Sequence, residues 1–393
     1  DKVVWTALRS ITNEDPIDVD YNLSKIAIRI RATDQLQGVI KKLQAEVTSI
    51  IPDWDGSNWV ERATNNPASI YRHILQGDAS PKPLPDERID LQNLQKFHEF
   101  ADDKGFSYNQ IVDAQDNLKQ MLKEVAQAGR ASPAQPEGKH GVIIDEPQSI
   151  PKQHFTPRNS ANFQGEKKFT RNLDAFKVRF VNENEGFEED ERLVFDDGED
   201  ESTAEEFEEL EWPGVTDPDQ IWSLSRFQIA QNRLRPENFT LETDLEHIVS
   251  ERGDMVRVTH DVILIGLGSG RVNEVIVDGN GNATGVKIDD VVVMESNTDY
   301  VIRFRFDNGN QLLKDVVTQS GEQTELTFKN SISSTNSQPK SGDLWMFGES
   351  GKESERMLIR RIEPRPNLGA KLHLVNYDDA IYNADNNIPE FDS

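Results

Sequence analysis

The chain has 393 residues, with 43 Lys and Arg against 70 Asp and Glu and a net charge of −27. Phosphate backbones and anionic lipid surfaces repel such a chain, and no dense Lys/Arg cluster offsets the repulsion, so direct nucleic-acid binding is not expected. The absence of cysteine excludes disulfides, thiolate nucleophiles and cysteine zinc sites, and no apolar run approaches the roughly 20 residues of a membrane-spanning helix.

The length suits two or three domains, and 35% hydrophobic residues can build cores while 29% charged residues require much solvated surface. The chain opens on Asp1 with no signal-peptide pattern, and "DKVVWTALRSI" already has strand character, so a piece of a longer protein is expected. In "KIAIRIRA", Ile26, Ile28 and Ile30 alternate with Ala27, Arg29 and Arg31, the period of a half-buried strand. A helix is predicted from Asn66-Pro67 to Gly77, with proline at an early helical position and glycine beyond the end. Three prolines in "PKPLP" then forbid regular structure.

Asp90 caps a second predicted helix with Leu91, Leu94, Phe97 and Ala101 on one face, ending near Gly105. A third carries Leu118, Met121, Leu122 and Val125 at helical spacing and stops at Gly129. "SYNQIVD" (107–113) and "GVIID" (141–145) read as strands, whereas 147–172 has no clear period and reads as a long loop or connection. Strand alternation returns in "AFKVRFV", with Phe176, Val178 and Phe180 on one face.

The stretch from Glu183 to Glu211 holds sixteen acids and one base, Arg192, and reads as a solvated loop with a short helix around Ala204–Leu210. Asp217-Pro218 opens a helix that faces Ile221, Leu224, Phe227, Ala230 and Leu234 inward until Pro236 ends it. From Phe239 onward, short strands alternate with Gly/Asn turns, as in "DMVRVTHDVILIGL", "NEVIVD", "YVIRFRF", "TELTFKN", "DLWMFGE", "MLIRRIE" and "AKLHLVNY", the pattern of a barrel or sandwich. Arg303 and Arg305 fall on the face opposite Ile302, Phe304 and Phe306, with solvent the first expectation for them and a subunit contact or tube lumen the others.

Short motifs carry little chemistry here. Gly266, Gly268 and Gly270 resemble a dinucleotide fingerprint, but Arg271 stands where the third glycine belongs and a β-branched run follows instead of a helix, so the glycines read as a flexible turn between two strands. "DGNGNATGVKID" places Asp278, Asn280 and Asn282 like a calcium loop, yet Ala283 and Asp289 occupy the positions of its glycine and glutamate. The seven histidines (73, 98, 140, 154, 247, 260 and 373) show no zinc-hydrolase spacing, and no G-x-S-x-G elbow exists. Arg252-Gly253-Asp254 matches an integrin-binding tripeptide but reads as a turn before a strand. No catalytic, cofactor-binding or metal-ligating residue is assigned, and no cofactor is expected.

Longer stretches are more informative. "IAIRIRATDQLQG", "PDWDGSNWVERATNNPASIYRHILQG", "DAFKVRFVNENEGFEEDERLVFDDG", "DPDQIWSLSRFQIAQNRLRPENFTLETDLEHIVSERGDMVRVTHDVILIGLGSGRV" and the closing "GDLWMFGESGKESERMLIRRIEPRPNLGAKLHLVNYDDAIYNAD" resemble the tail-tip attachment proteins of lambda-like long-tailed phages. This is the host-specificity, central-fibre or baseplate-hub family, and its resemblance to residues 78–172 is the weakest.

The resemblance implies an α+β multidomain chain with β-barrel-like hub domains and an inserted α/β region. Residues 1–60 would be a partial β hub domain, and 61–172 an α+β domain ending in a loop-rich connection. Residues 173–235 would form a strand, acidic loop and helix returning to the hub, and 236–393 a β-barrel-like domain. It further implies a homotrimer at the distal end of the virion tail, in contact with other tail-tip and tail-tube proteins, without enzymatic activity. The host receptor would be reached only through downstream regions. Two other classes stay open: a β-rich glycan-binding surface protein using Trp54, Trp59 or Trp222, and a cell-wall hydrolase of a tail tip.

Overall fold

The computed structural model describes residues 45–77, 80, 82–112, 117–167, 173–260, 266–351 and 353–391. The strand expected in "KIAIRIRA" and the apolar residues 262–265 before the glycine run lie outside them. Among the described residues, no helix is long and apolar enough to cross a membrane.

Strands β1 (Ile50–Trp54) and β2 (Trp59–Ala63) form a hairpin, so the expected boundary at 60/61 falls inside a strand. Three helices follow where their caps predict them. In α1 (Pro67–Gln76) the Asn66 side chain accepts from the Ala68 amide, and in α2 (Leu91–Lys104) Asp90 accepts from Asn93. Helix α2 ends on Gly105 in the left-handed region, φ 70°, and α3 (Leu118–Ala128) ends on Gly129.

Residues 107–112 of the predicted strand pair with no other strand among the described residues. Their backbone is anchored singly, Tyr108 to the Asn65 carbonyl at 2.9 Å and Asn109 to that of Gly214 at 2.7 Å. A ladder of β3 (Ala131–Ala134) and β4 (Gly141–Ile144) completes this part.

The segment expected to be a loop, 147–172, contains β5 (His154–Phe155) and β6 (Ala161–Lys167). Only Phe163 of β6 is buried, because β6 is an edge strand. An edge strand with one inward residue shows no alternation in its sequence.

The acidic stretch is also ordered. Strand β7 (Ala175–Asn182) lies between β8 (Glu188–Phe195), antiparallel, and β9 (Phe207–Glu211), parallel. The helix expected at 204–210 is therefore strand β9 from Phe207 onward, held by the β7 ladder. Helix α4 (Pro218–Leu234) starts on Asp217, which accepts from Asp219 and Gln220, with Pro218 in the first turn.

The remaining strands are β10 (Glu237–Thr243), β11 (Met255–Val258), β12 (Gly268–Val277), β13 (Ala283–Met294), β14 (Tyr300–Arg305), β15 (Gln311–Val316), β16 (Gly321–Ile332), β17 (Leu344–Glu349), β18 (Glu355–Pro364) and β19 (Ala370–Asn376). They make two assemblies of six strands with the help of β5 and β6. One is a closed barrel, β12-β13-β16-β15-β14-β17, and the other an open sheet in the order β5-β11-β18-β19-β10-β6. The fold is thus α+β, rich in strands, with barrel-like domains.

The open sheet is the frame. Its neighbours β6 and β10 are separated in sequence by β7–β9 and α4, and its neighbours β11 and β18 by the whole barrel. Both are insertions between paired strands. The expected unit 236–393 therefore contains two assemblies, and the sheet also draws β5 and β6 from before residue 172.

Each part has its own core. Val286, Ile302, Phe304, Leu326 and Phe347 fill the barrel, while Phe155, Leu241, Val256, Ile359 and Leu372 line one face of the sheet. Helices α1–α3, β7, β8 and the first half of α4 share a third core. The second half of α4, through Phe227 and Ala230, packs with Met255, Leu358, Val375 and Tyr382 in a fourth, against the sheet's other face. Because α4 serves two cores, residues beyond its predicted stripe are buried too: Gln220, Trp222, Ser225 and Arg226.

Candidate functional site

The motifs found in the sequence take structural places. Gly268 and Gly270 lie in β12 rather than in the expected turn, paired with Phe347 and Trp345 of β17 where the barrel closes. A Cβ on Gly268 would stand 2.7 Å from Val292, and one on Gly270 would collide with the Asp289 carboxylate. These glycines allow close strand approach at barrel closure. The Asp278 carboxylate accepts from the amides of Asn280 (2.8 Å) and Asn282 (2.9 Å) and from the Asn282 side chain (2.9 Å), so it is occupied by its own hairpin turn. Those hydrogen bonds, from the Asn282 side chain first, hold its pKa below the ordinary carboxylate value.

In the Arg-Gly-Asp tripeptide, Arg252 donates to the Pro133 carbonyl at 2.6 Å and Asp254 accepts from the Glu251 amide at 2.7 Å, with Gly253 at φ 93°. Trp54 and Trp59 face each other across the first hairpin at 5.8 Å, but Arg72 covers the Trp59 ring at 4.5 Å, while Trp222 is buried. Neither Trp59 nor Trp222 presents an open ring face for stacking. No group of three or more His, Asp and Glu side chains suited to a metal occurs among the described residues.

One constellation escaped the sequence reading. Asp53 accepts from Ser69 Oγ (2.5 Å), Thr64 Oγ1 (2.8 Å) and Arg62, and meets His98 Nε2 at 2.9 Å. The other His98 nitrogen lies 3.3 Å from Asp102. The residue types match a hydrolytic triad, but the arrangement does not: the serine donates to the carboxylate and has no histidine base. Ser69, Asp53 and His98 are also at most 2% exposed, which leaves no approach for a substrate. Burial alone would raise the Asp53 carboxyl; hydrogen bonds from Ser69, Thr64, Arg62 and His98 outweigh it and hold the pKa low. The cluster ties the first hairpin to α1 and α2.

The acids of 183–211 are partly neutralised within the fold. Asp196 and Asp197 bind Arg233 at 2.8 and 2.6 Å, and both also bind Arg226. The Arg233 hydrogen bond and the Arg226 charge hold the Asp197 carboxyl below its ordinary value. Lys177 meets Glu191 at 2.8 Å and Arg179 meets Glu209 at 3.2 Å. The lone base, Arg192, is buried and donates to the carbonyls of Pro218 and Pro389, both at 2.7 Å.

Two places in the molecule are suited to interaction. The first is the open sheet: its borders are the two-residue β5 and the seven-residue β6, each paired on one side only among the described strands. A strand with one unpaired side is a template for another chain.

The second is the seam between the sheet and the barrel. Arg303 and Arg305 leave the barrel wall on the side opposite Ile302 and Phe304, as the alternation predicted, but they meet the sheet rather than solvent. Arg303 donates to Glu353 at 2.6 and 3.1 Å; Arg305 donates to the Lys152 carbonyl at 2.7 Å and to the Gln153 side chain. On the sheet side His154, Arg257 and Arg356 stand opposite one another on β5, β11 and β18. Arg356 is paired with Asp379 at 2.7 Å, and Arg257 donates to Ser354 at 2.7 Å and lies 3.8 Å from Glu353. Burial, with Arg305, Arg257 and Arg303 around it, pushes the His154 imidazole down to about 3, so it is neutral at physiological pH. A clasp beside the seam joins Arg158 to Asp289 and, at 3.1 Å, to Asp290. Sequence reading missed the seam because its members come from a segment without periodicity and from strands far apart in the chain.

No protein-family model matches this chain, and no curated protein does. Among solved structures, the tail protein from Neisseria meningitidis MC58 is similar to it over 71% of this chain at 12% identity, with a TM-score of 0.34. This chain spans 60% of the length of that protein's chain.

Proposed function

We propose that this chain is a structural component of the tail tip of a long-tailed phage, prophage or related particle. It acts in the baseplate hub that joins the tail tube to the receptor-binding central fibre, as a homotrimer at the distal end of the virion tail. Its role is assembly rather than catalysis. Neighbouring tail-tip and tail-tube proteins are its partners.

The observation that carries this reading is the open six-stranded sheet with its two half-paired borders. Adding the β6 border of one copy to the β5 border of the next would satisfy both and close a ring of strands, the usual remedy for exposed edges. The family resemblance supports the same reading. Its longest stretch, from Asp217 to Val272, supplies α4, β10, β11 and the start of β12, the elements on which sheet and barrel are hung.

The test is immunogold electron microscopy of purified tailed particles with antibody against this chain. Gold confined to the distal tail end is the expected result. Gold on the head or along the tail shaft would overturn the proposal.

A further inference from the structure

We propose that the seam between the open sheet and the barrel is a binding site for a small oxyanion of the phosphate or carboxylate type, held by Arg305, Arg257 and His154. The inference is independent of the tail-tip reading, because it rests on the buried, unpartnered nitrogens of the seam.

Four guanidinium groups converge there, those of Arg257, Arg303, Arg305 and Arg356, and two carboxylates answer them in direct ion pairs. Glu353 is committed to Arg303 at 2.6 Å and Asp379 to Arg356 at 2.7 Å. Arg305 has only neutral acceptors, the Lys152 carbonyl and the Gln153 side chain. Arg257 has the Ser354 hydroxyl and a distant share of Glu353. A desolvated cation is costly unless an anion accompanies it; Glu355 adds its charge near Arg257 and Arg356, and among the described residues Arg305 is left without a carboxylate.

The unused hydrogen-bonding atoms lie on Arg257, Arg305 and their neighbour His154. Arg257 Nε, Arg305 Nε and His154 Nε2 are all buried and have no partner. His154 is 2% exposed and stands opposite Arg257 in the β5–β11 ladder, which puts imidazole and guanidinium on the same side of the sheet. A bound oxyanion would accept from both Nε–H groups and from a neutral His154 protonated on Nε2, and would balance the charge. Burial first, then Arg305, Arg257 and Arg303, pushes His154 down to about 3, and burial with Arg303 pushes Arg257 down to about 10 against the opposing charges of Glu353 and Glu355.

The experiment uses the whole purified chain and two probes, inorganic phosphate and acetate, each titrated against sodium chloride at constant ionic strength. The expected result is a saturable rise in melting temperature of about 2–4 °C with at least one probe, together with broadening of the phosphate 31P resonance where phosphate is the ligand. The Arg305→Gln variant is expected to lose the effect. Phosphate alone, acetate alone or both would each support the site and identify its ligand class. No saturable shift with either probe in the wild-type chain would overturn the proposal, as would an undiminished shift in Arg305→Gln. The wild-type titration keeps the test decisive even if that variant folds poorly.

Discussion

The barrel and the open sheet each use six strands and treat their borders in opposite ways. In the barrel, β17 pairs with both β12 and β14, so the ladder returns on itself and no strand is left half-paired. Among the described strands, the sheet stops at β5 and β6. Their construction differs as well. Barrel strands come from one continuous stretch, Gly268–Glu349, whereas the sheet gathers strands from His154 to Asn376 around two insertions. Closure makes the barrel self-sufficient, while the sheet depends on α4 behind it and, in the proposed assembly, on neighbouring copies beside it.

The comparison predicts the largest effect inside the barrel. Trp345 is 1% exposed and donates from its indole to Asp289 at 3.1 Å. Trp345→Ala is expected to destabilise the barrel by about 3–5 kcal/mol, the usual range for truncating a buried large aromatic. Calorimetry should show a barrel transition moved well below that of the rest, with new proteolytic cuts confined to Gly268–Glu349. Equal loss in all transitions would show that the barrel is not self-sufficient.

The next effect concerns what backs the sheet. Asp385, just beyond the last strand, binds Arg130 and, at 3.0 Å, Lys104, with both Asp385 and Arg130 side chains 3% exposed. Asp385→Ala leaves a buried guanidinium unpaired and is expected to cost about 3 kcal/mol. Burial alone would raise the Asp385 carboxyl, but Arg130 and Lys104 outweigh it, so the folded pKa lies below the ordinary 3.8. The stabilisation is therefore fully present above about pH 3.8 and is lost as pH falls through the lower folded value. Urea midpoints of the wild type and Asp385→Asn, followed from pH 7 to pH 2, should differ by a constant amount above that point and converge below it.

A smaller effect is expected at the clasp between the two assemblies. Arg158→Ala removes the cation from Asp289 and Asp290, while Asp289 keeps the Arg271 amide at 2.8 Å and the Trp345 indole. A loss of about 1 kcal/mol is expected, with faster hydrogen exchange in β13 around Asp289 and little change in β19. The smallest effect on stability should come from the sheet border. Gln164→Lys with Glu166→Lys changes exposed positions of β6 and should alter stability by roughly 0.5 kcal/mol or less. Incorporation into particles should nevertheless fall sharply, because lysine on a strand border opposes edge pairing. Normal incorporation would remove β6 from the proposed interface.

Much of the local structure was legible in the sequence. Asn66, Asp90 and Asp217 start helices where their capping chemistry predicts, and the alternation of Phe176, Val178 and Phe180 and of Ile302 and Phe304 identified inward faces. The same reasoning failed for β6, which shows one buried residue, and for β8 and β9, whose acids looked too charged to pair. Their strands form because β10 and β7 supply ladders and because Lys177, Arg179, Arg226 and Arg233 answer part of the charge. The seam was half legible. The outward direction of Arg303 and Arg305 followed from alternation, but nothing near them in sequence indicated that His154 and Arg257 would face them.

The sequence by itself determined where α1–α4 begin and end, which faces of β7 and β14 turn inward, and that the glycine run belongs to strand structure rather than to a phosphate-binding helix. Only the tertiary structure decided that one set of strands closes while the other stays open, that α4 is buried by two cores, and that four guanidinium groups gather at the seam inside a strongly acidic chain. Caps and alternation arise from neighbours within a few residues and are written locally. Strand partners and the balance of a buried charge depend on groups brought from distant parts of the chain, and these are defined only once the fold has formed.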